Sequence, residues 1–228
     1  MIIAIIPAKD EAKNILNVVE RTRNYVDQVL VIDDGSQDKT SDLAKSAGAL
    51  VIRNPQNLGK ADSLKIGFEF AIKERADYLL LIDADGQHNP DEIPLFISKM
   101  AEGYDIVVGA RKFDPKLMPA LRIFANTTSS VILSKICGTK ILDSQSGYRL
   151  LRKEVVERIE FTSKRYQLET EMLVKAARCG FKIGFVEIAT IYRAEAKSKI
   201  NQLIDPIKFL FIALKLSMYK CKKSDSKL

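Results

Sequence analysis

Short runs of large apolar residues recur along the first half of the chain: IIAII (2–6), QVLVID (28–33), ALVIR (49–53), YLLLID (78–83) and DIVVGA (105–110). Each is too short for a buried helix and lacks the polar alternation of a half-exposed strand, so each reads as a strand covered on both faces. Between them, residues 14–24, 38–47, 60–75 and 91–101 carry apolar residues at three- and four-residue spacing. Asp38 or Thr40 and Asn89 suit helix N-caps, and Pro90 suits a first helical turn. Strand and helix in alternation predict an α/β fold, a mostly parallel sheet with helices on both faces. Ligands of such sheets bind beyond the carboxyl ends of the strands. There the polar stretches collect: PAKDE, DDGSQDKT, NPQNLGK and DADGQH. After residue 111 the alternation stops, and the pattern predicts a long helix near 117–136, a loop GTKILDSQSGYR, a helix near 168–179 and a strand near 182–191.

Composition narrows the classes. With 228 residues, 46% hydrophobic and 29% charged, the chain suits one globular domain. Its net charge of +7 is unevenly spread: residues 1–110 hold 12 Lys/Arg against 18 Asp/Glu, and residues 111–228 hold 24 against 11. An acidic first half suits a cation or a hydroxyl-rich ligand, and a basic second half suits phosphates. Nucleic acid is not the expected partner, because only 7% of residues are aromatic, none is Trp and no recognition motif is present. Cys137, Cys179 and Cys221 are odd in number and widely spaced, so neither a disulfide framework nor a zinc site is expected, and a reducing compartment is. The opening MIIAIIPAKDE reads as a first strand rather than a leader, and no apolar run reaches membrane-spanning length.

The run ending in LLLIDADGQH drives into two carboxylates one residue apart. Like charges so placed cost free energy unless a cation lies between them. If the chain stays extended past Ile82, Asp83, Asp85 and Gln87 point to one side, an oxygen set suited to Mg²⁺ or Mn²⁺. His88, the single histidine, is expected to be a surface or hydrogen-bonding group rather than a catalyst.

Five segments in this order, PAKDEAKNI, VIDDGSQDKT, NLGKADSLKIGF, LIDADGQH and DSQSGYRL, resemble the family 2 inverting glycosyltransferases of the GT-A fold. The resemblance is strongest to the branch of dolichyl-phosphate mannose synthases and polyprenyl-phosphate glycosyltransferases. It implies one GT-A domain over residues 1–200. It further implies that Pro7, Glu11 and Asp34 contact the donor nucleoside with Asp33 supporting them, and that Asp83, Asp85 and Gln87 hold the metal and the donor diphosphate. Matching positions assign Arg193 and Lys199 to the donor diphosphate, and Arg111 and Arg122 to an acceptor phosphate. Arg122 and Arg149 join the two acids as the expected catalytic set, and Lys60, opening a helix after NLG, is a further expected anion contact. The chain departs from the family pattern at Asp10, usually Asn, at Ala61-Asp62, where Gly is common, and at Ala196, usually Gly.

The acceptor decides whether a base is needed. A lipid phosphate is already anionic, whereas a sugar hydroxyl requires a base, for which Asp143 or Glu169 would serve. Lys208, Lys215 and Lys222 recur every seven residues among Phe, Leu and Ile, so residues 201–221 are expected to form an amphipathic helix. That helix fits the bilayer interface, the protein's own body or a membrane subunit, and a mobile basic tail follows over 222–228. The expectation is a peripheral enzyme at the cytoplasmic membrane face that moves a hexose from GDP-mannose, or secondarily UDP-glucose, to a polyprenyl or dolichyl phosphate. Transfer to a saccharide hydroxyl and a noncatalytic sugar-nucleotide-binding subunit are the alternatives.

Overall fold

The computed structural model describes residues 1–111, 120–163, 167–189, 213 and 215–221, with the side chains of 120–125 excluded. Its elements are β1 (Ile2–Ala8), α1 (Ile15–Thr22), β2 (Gln28–Asp33), α2 (Thr40–Ser46), β3 (Leu50–Arg53), α3 (Lys60–Lys73) and β4 (Tyr78–Leu81). A 3₁₀ turn (Pro90–Glu92) then leads into α4 (Ile93–Ala101), β5 (Ile106–Arg111), α5 (Ala120–Cys137), β6 (Arg149–Arg152), α6 (Lys153–Arg158), α7 (Leu168–Arg178) and β7 (Ile183–Ile188).

The seven strands form one sheet in the order β3-β2-β1-β4-β6-β5-β7. All pairings are parallel except those of β6, which runs antiparallel between β4 and β5. Four of the five apolar runs behave as doubly buried strands should; the exception is β3, at the sheet edge, where Leu50 is 46% exposed and Val51 and Ile52 are only half-buried. β1 sends Ile3 and Ile5 into one core layer and Ala4 and Ile6 into the other, and β4 divides Leu79 and Leu81 from Leu80 in the same way. The first layer is closed by α3, α6 and α7 through residues such as Leu64, Phe68, Val155 and Leu173. The second is closed by α1, α2 and α4 through Val19, Ala44 and Phe96.

Two details differ from expectation. β6 was not expected: it begins at Arg149, the last residue of the segment read as a loop, and its four residues RLLR offer too short a run to stand out. Its antiparallel course has a functional consequence: Arg149 lies opposite Leu81, so the residues just before β6 sit beside those just after β4. The cysteine expectation is also corrected. Cys179, just past α7, is bonded to Cys221 with their Cα atoms 5.1 Å apart, and Cys137 is free. Spacing in sequence gave no hint of this, because the pairing depends on the chain returning across the body. The argument for a reducing compartment therefore falls away.

Of the expected 201–221 helix, only Ala213 and residues 215–221 are described, and Ala213 and Leu216 are buried in the first core layer. The Nζ of Lys175 lies 4.6 Å from the centre of the Tyr219 ring, which adds a second anchor. The expected tail 222–228 lies outside the described residues. Among the described residues no helix is long and apolar enough to cross a membrane.

The bridge closes a loop with a sequence separation of 42. Opening it with dithiothreitol, or by Cys221→Ser, is expected to cost about 2–4 kcal/mol of unfolding free energy. Denaturant midpoints measured with and without reductant check this; coincident midpoints would mean the loop is not covalently closed.

Candidate active site

The carboxyl ends of β1, β2 and β4 carry the expected polar loops, and hydrogen bonds lace them together. The Asp10 amide donates to Ser36 Oγ (2.9 Å), the Glu11 amide to Thr40 Oγ1 (2.9 Å) and the Gln37 amide to Asp10 Oδ1 (2.7 Å). Asp10 has φ 55°, a left-handed conformation that Asp tolerates as Asn does, which explains why Asp serves at a position usually occupied by Asn. Pro7 pairs with Ile32 at the end of β1.

Asp33 and Asp34 are buried and act as props for these loops. Asp33 accepts from the Ser36 amide at 2.8 Å and from the Ser41 hydroxyl. Burial alone would raise its pKa, but these bonds hold it below the usual carboxylate range. Asp34 accepts from Asn54 Nδ2 (2.9 Å), the Leu58 amide (2.8 Å) and the Gly59 amide (2.8 Å). Its carboxylate thus braces the loop that starts α3. Gly59, at φ 96°, makes the turn that delivers Lys60 as the first residue of α3.

The tip of β4 is where the chemistry gathers. The chain does not stay extended after Ile82, as expected; it turns, with Gly86 at φ 69° and the Gln87 amide donating to Asp85 Oδ1 at 2.9 Å. The turn, rather than strand periodicity, brings the acids together. Lys60 Nζ lies 2.6 Å from Asp83 Oδ1 and 3.0 Å from Oε1 of Glu169, the second residue of α7. Burial would lower the Lys60 pKa, but the two carboxylates overcome it and push it up. Asp83 is likewise held low, Lys60 outweighing burial. A Cβ on Gly147 would come within 2.7 Å of Asp83 Oδ2 and 2.8 Å of Lys60 Nζ, so this pair lies flat on the glycine. Asp85 has no comparable compensation. Burial, then the charge of Asp83, and to a lesser degree that of Glu11, push its pKa up to about 6.

That uncompensated acid beside a compensated one is the observation that fits a divalent cation, since hard oxygen donors lie together with negative charge to spare. Among the described residues no three His, Cys, Asp or Glu side chains form a ready-made metal cage. A cation held by Asp83 and Asp85 would complete its shell from Gln87, water and a ligand's phosphates.

Other expected residues fall differently. Arg149 is fully buried and donates to three backbone carbonyls: Ser146 (2.8 Å), Glu169 (2.8 Å) and Ser144 (3.2 Å). Burial lowers its pKa to about 10. The expected catalytic role is corrected to a structural one: Arg149 staples the 144–147 loop to the start of α7, placing Gly147 and Glu169. Arg111, at the end of β5, pairs with Asp143 through Nε (2.7 Å) and Nη2 (3.0 Å), and lies near enough to help lower the Asp83 pKa. Asp143 also accepts from the Gln145 and Ser146 amides (3.0 and 3.1 Å), which leaves it a clamp rather than a base. Arg193 and Lys199 lie outside the described residues, as does the side chain of Arg122. His88 is buried against Tyr148, ring centres 5.1 Å apart, with Nε2 3.8 Å from Asp83 Oδ2. Burial lowers its pKa to about 4, so it faces the site as a neutral wall. Gly147 was missed from the sequence as a site residue, although the motif SQSGYR contained it.

A family model described as Glycosyl transferase family 2 matches residues 3–160. The chain belongs to glycosyl transferase family 2. It is therefore a glycosyltransferase, with the expected GT-A type of fold. It is 31% identical over 244 residues to the UDP-N-acetylglucosamine–dolichyl-phosphate N-acetylglucosaminyltransferase of Methanococcus voltae, covering 96% of this chain and 97% of that protein. It is 28% identical over 213 residues to the polyprenol monophosphomannose synthase of Mycolicibacterium smegmatis, covering 87% and 80%. Among solved structures, glucosyl-3-phosphoglycerate synthase from Mycobacterium tuberculosis in complex with Mn²⁺, UDP and phosphoglyceric acid superposes with a TM-score of 0.76 at 20% identity, over 96% of this chain and 78% of that one. That likeness concerns the fold.

Two outcomes follow for this glycosyltransferase. Because the folded-state pKa of Asp85 is raised from 3.8 to about 6, the contribution of Asp85 to the stability of the metal-free protein falls as pH rises through that interval. Asp85→Asn, which keeps the bond from the Gln87 amide, should therefore be more stable than the parent at pH 7.5 by on the order of 1–3 kcal/mol and no more stable at pH 4. Chelator-treated protein in thermal melts across that range reads the difference. Arg149→Lys should destabilise nearly as much as Arg149→Ala, by at least about 3 kcal/mol, because an ammonium cannot serve three carbonyls in a fork. Denaturant titration checks it; a stable Arg149→Ala protein would contradict the staple.

Proposed function

We propose that this chain transfers a glycosyl group, with inversion, from a nucleotide sugar to a polyprenyl phosphate, using a divalent cation at Asp83 and Asp85. The observation that carries the reading is the acidic tip of β4, where Asp85 has no cation paired with it among the described residues, in a chain similar along its length to transferases whose names include dolichyl-phosphate and polyprenol. The ion pairs favour an anionic acceptor over a hydroxyl. Both acids offered by the sequence as bases are engaged, Glu169 with Lys60 and Asp143 with Arg111. A phosphate needs neither, because it carries about 1.5 to 2 negative charges at neutral pH.

The chemistry is a single displacement. A phosphate oxygen attacks the anomeric carbon from the face opposite the diphosphate. A new carbon–oxygen bond forms as the bond to the diphosphate breaks, and the nucleoside diphosphate leaves with the electron pair. A bound cation would offset charge growing on that leaving group. Asp83 and Asp85 hold its place, and Lys60, at the start of α3, adds an ammonium on the same side. Arg111, fixed by Asp143 at the end of β5, is positioned to align the acceptor phosphate, and Gly147 with the neutral His88 gives the cleft a close-fitting wall. Arg122, Arg193 and Lys199 remain assigned by motif to the acceptor and donor phosphates. Peripheral membrane contact follows from the acceptor, which resides in a bilayer.

The donor is either GDP-mannose, as the motif resemblance implies, or a UDP-sugar, as the relative from Methanococcus voltae suggests. A panel of labelled GDP-mannose, UDP-glucose and UDP-N-acetylglucosamine with a polyprenyl phosphate and Mn²⁺ tests the reading. Label should enter the organic-extractable phase with one donor, and Asp85→Ala should lower that rate at least about a hundredfold. Label appearing only in an added saccharide, or in no product, would contradict it.

A further inference from the structure

Lys60 has a second property, which rests on the donor-site reading above. Its ammonium contacts Asp83 Oδ1, on a carboxylate that the reading assigns to the divalent cation. Two cations on one carboxylate repel, and this one is partly buried, so solvent screens them poorly. We propose that Lys60 is a place-holder for the cation: its ammonium compensates Asp83 in the empty site and passes to the donor diphosphate when the cation takes Asp83.

Three features support the exchange. The ammonium is shared between two acids on different elements, Asp83 after β4 and Glu169 in α7, so releasing one does not leave it bare. Glu169 is only 7% exposed and its Oε2 is buried without a hydrogen-bond partner among the described residues, so with Lys60 as its contacting cation and buried Arg149 as a further positive charge nearby, its carboxylate draws the ammonium toward α7. Finally, nothing among the described residues lies within 4 Å of where a Cβ on Gly59 would be, so they leave open space beside the turn immediately before Lys60, where a diphosphate can approach. Cation and nucleotide then load together, and the empty site resists loading by metal alone. Lys60 is a positioning residue in this role, acting on the cation through Asp83.

Calorimetric titration of Mn²⁺ alone, without nucleotide, separates this from a purely structural ion pair. Lys60→Met should bind Mn²⁺ about tenfold more tightly than the parent, since its competitor is gone. A structural pair predicts the reverse, because Asp83 would lose its support. Lys65→Met removes the same charge from α3, where Lys65 pairs with Asp62 at 2.9 Å, and should change Mn²⁺ affinity by less than about twofold. Glu169→Gln should weaken Mn²⁺ binding about threefold, because Lys60 then leans on Asp83 alone. Unchanged or weaker binding by folded Lys60→Met overturns the proposal, as does an equal gain in Lys65→Met. Should Lys60→Met fail to fold, the Glu169→Gln arm decides, and unchanged or tighter binding there overturns it. A parent protein that binds no nucleoside diphosphate with Mn²⁺ sinks the donor-site reading and this inference together. Nucleotide binding without tightening in Lys60→Met sinks this inference only.

Discussion

Asp83, Asp85 and Glu169 are drawn into the partly buried cleft where the end of β4, the 143–147 loop and the start of α7 meet, and a single ammonium, from Lys60, compensates two of them. A strand buried on both faces cannot end in acids without cost, because desolvation raises the free energy of each charge. The fold meets that cost only in part. Lys60 steadies Asp83 and Glu169, while Asp85 is left with its proton affinity raised by its surroundings. In the proposed function, the unmet remainder is what draws an external cation, and that cation is what holds a leaving diphosphate.

Much of the surrounding structure serves to hold this imbalance in place. Asp34 fixes the loop before α3 through two backbone amides and Asn54, which sets where Lys60 begins. Arg149 spends its whole guanidinium on carbonyls, joining the 144–147 loop to α7 so that Gly147 backs the Lys60–Asp83 pair and Glu169 reaches Lys60. Asp143 grips Arg111 at the end of β5. Each of these is a charged residue whose partners are internal, so the backbone from which the site's charges project is braced.

The sheet was legible because its strands, the half-exposed edge strand β3 included, leave short apolar runs, and the polar stretches after β1 to β4 marked the ligand edge. β6 was not, because RLLR is four residues long and takes its place from β4 and β5 rather than from its own pattern. The acidic pair was legible as a site, but the geometry attributed to it was not, since a turn at Gly86 replaces the extension that a period of two assumed. Arg149 misled for a physical reason. A motif identifies that a guanidinium is needed and leaves open whether it faces substrate or backbone, and Arg149 faces backbone. The Cys179–Cys221 bond joins the end of α7 to the returning C-terminal segment, a tertiary contact with no local sequence signal.

The central claim is that the tip of β4 holds a divalent cation together with a nucleoside diphosphate. The most direct measurement is the anomalous scattering of manganese in crystals grown with Mn²⁺ and nucleoside diphosphate. The account predicts a single strong peak coordinated by Asp85 and Asp83, with diphosphate oxygens completing the shell and Lys60 Nζ moved away from Asp83. A cleft without that peak, with Asp83 still bound to Lys60 while nucleotide density is present, would contradict it.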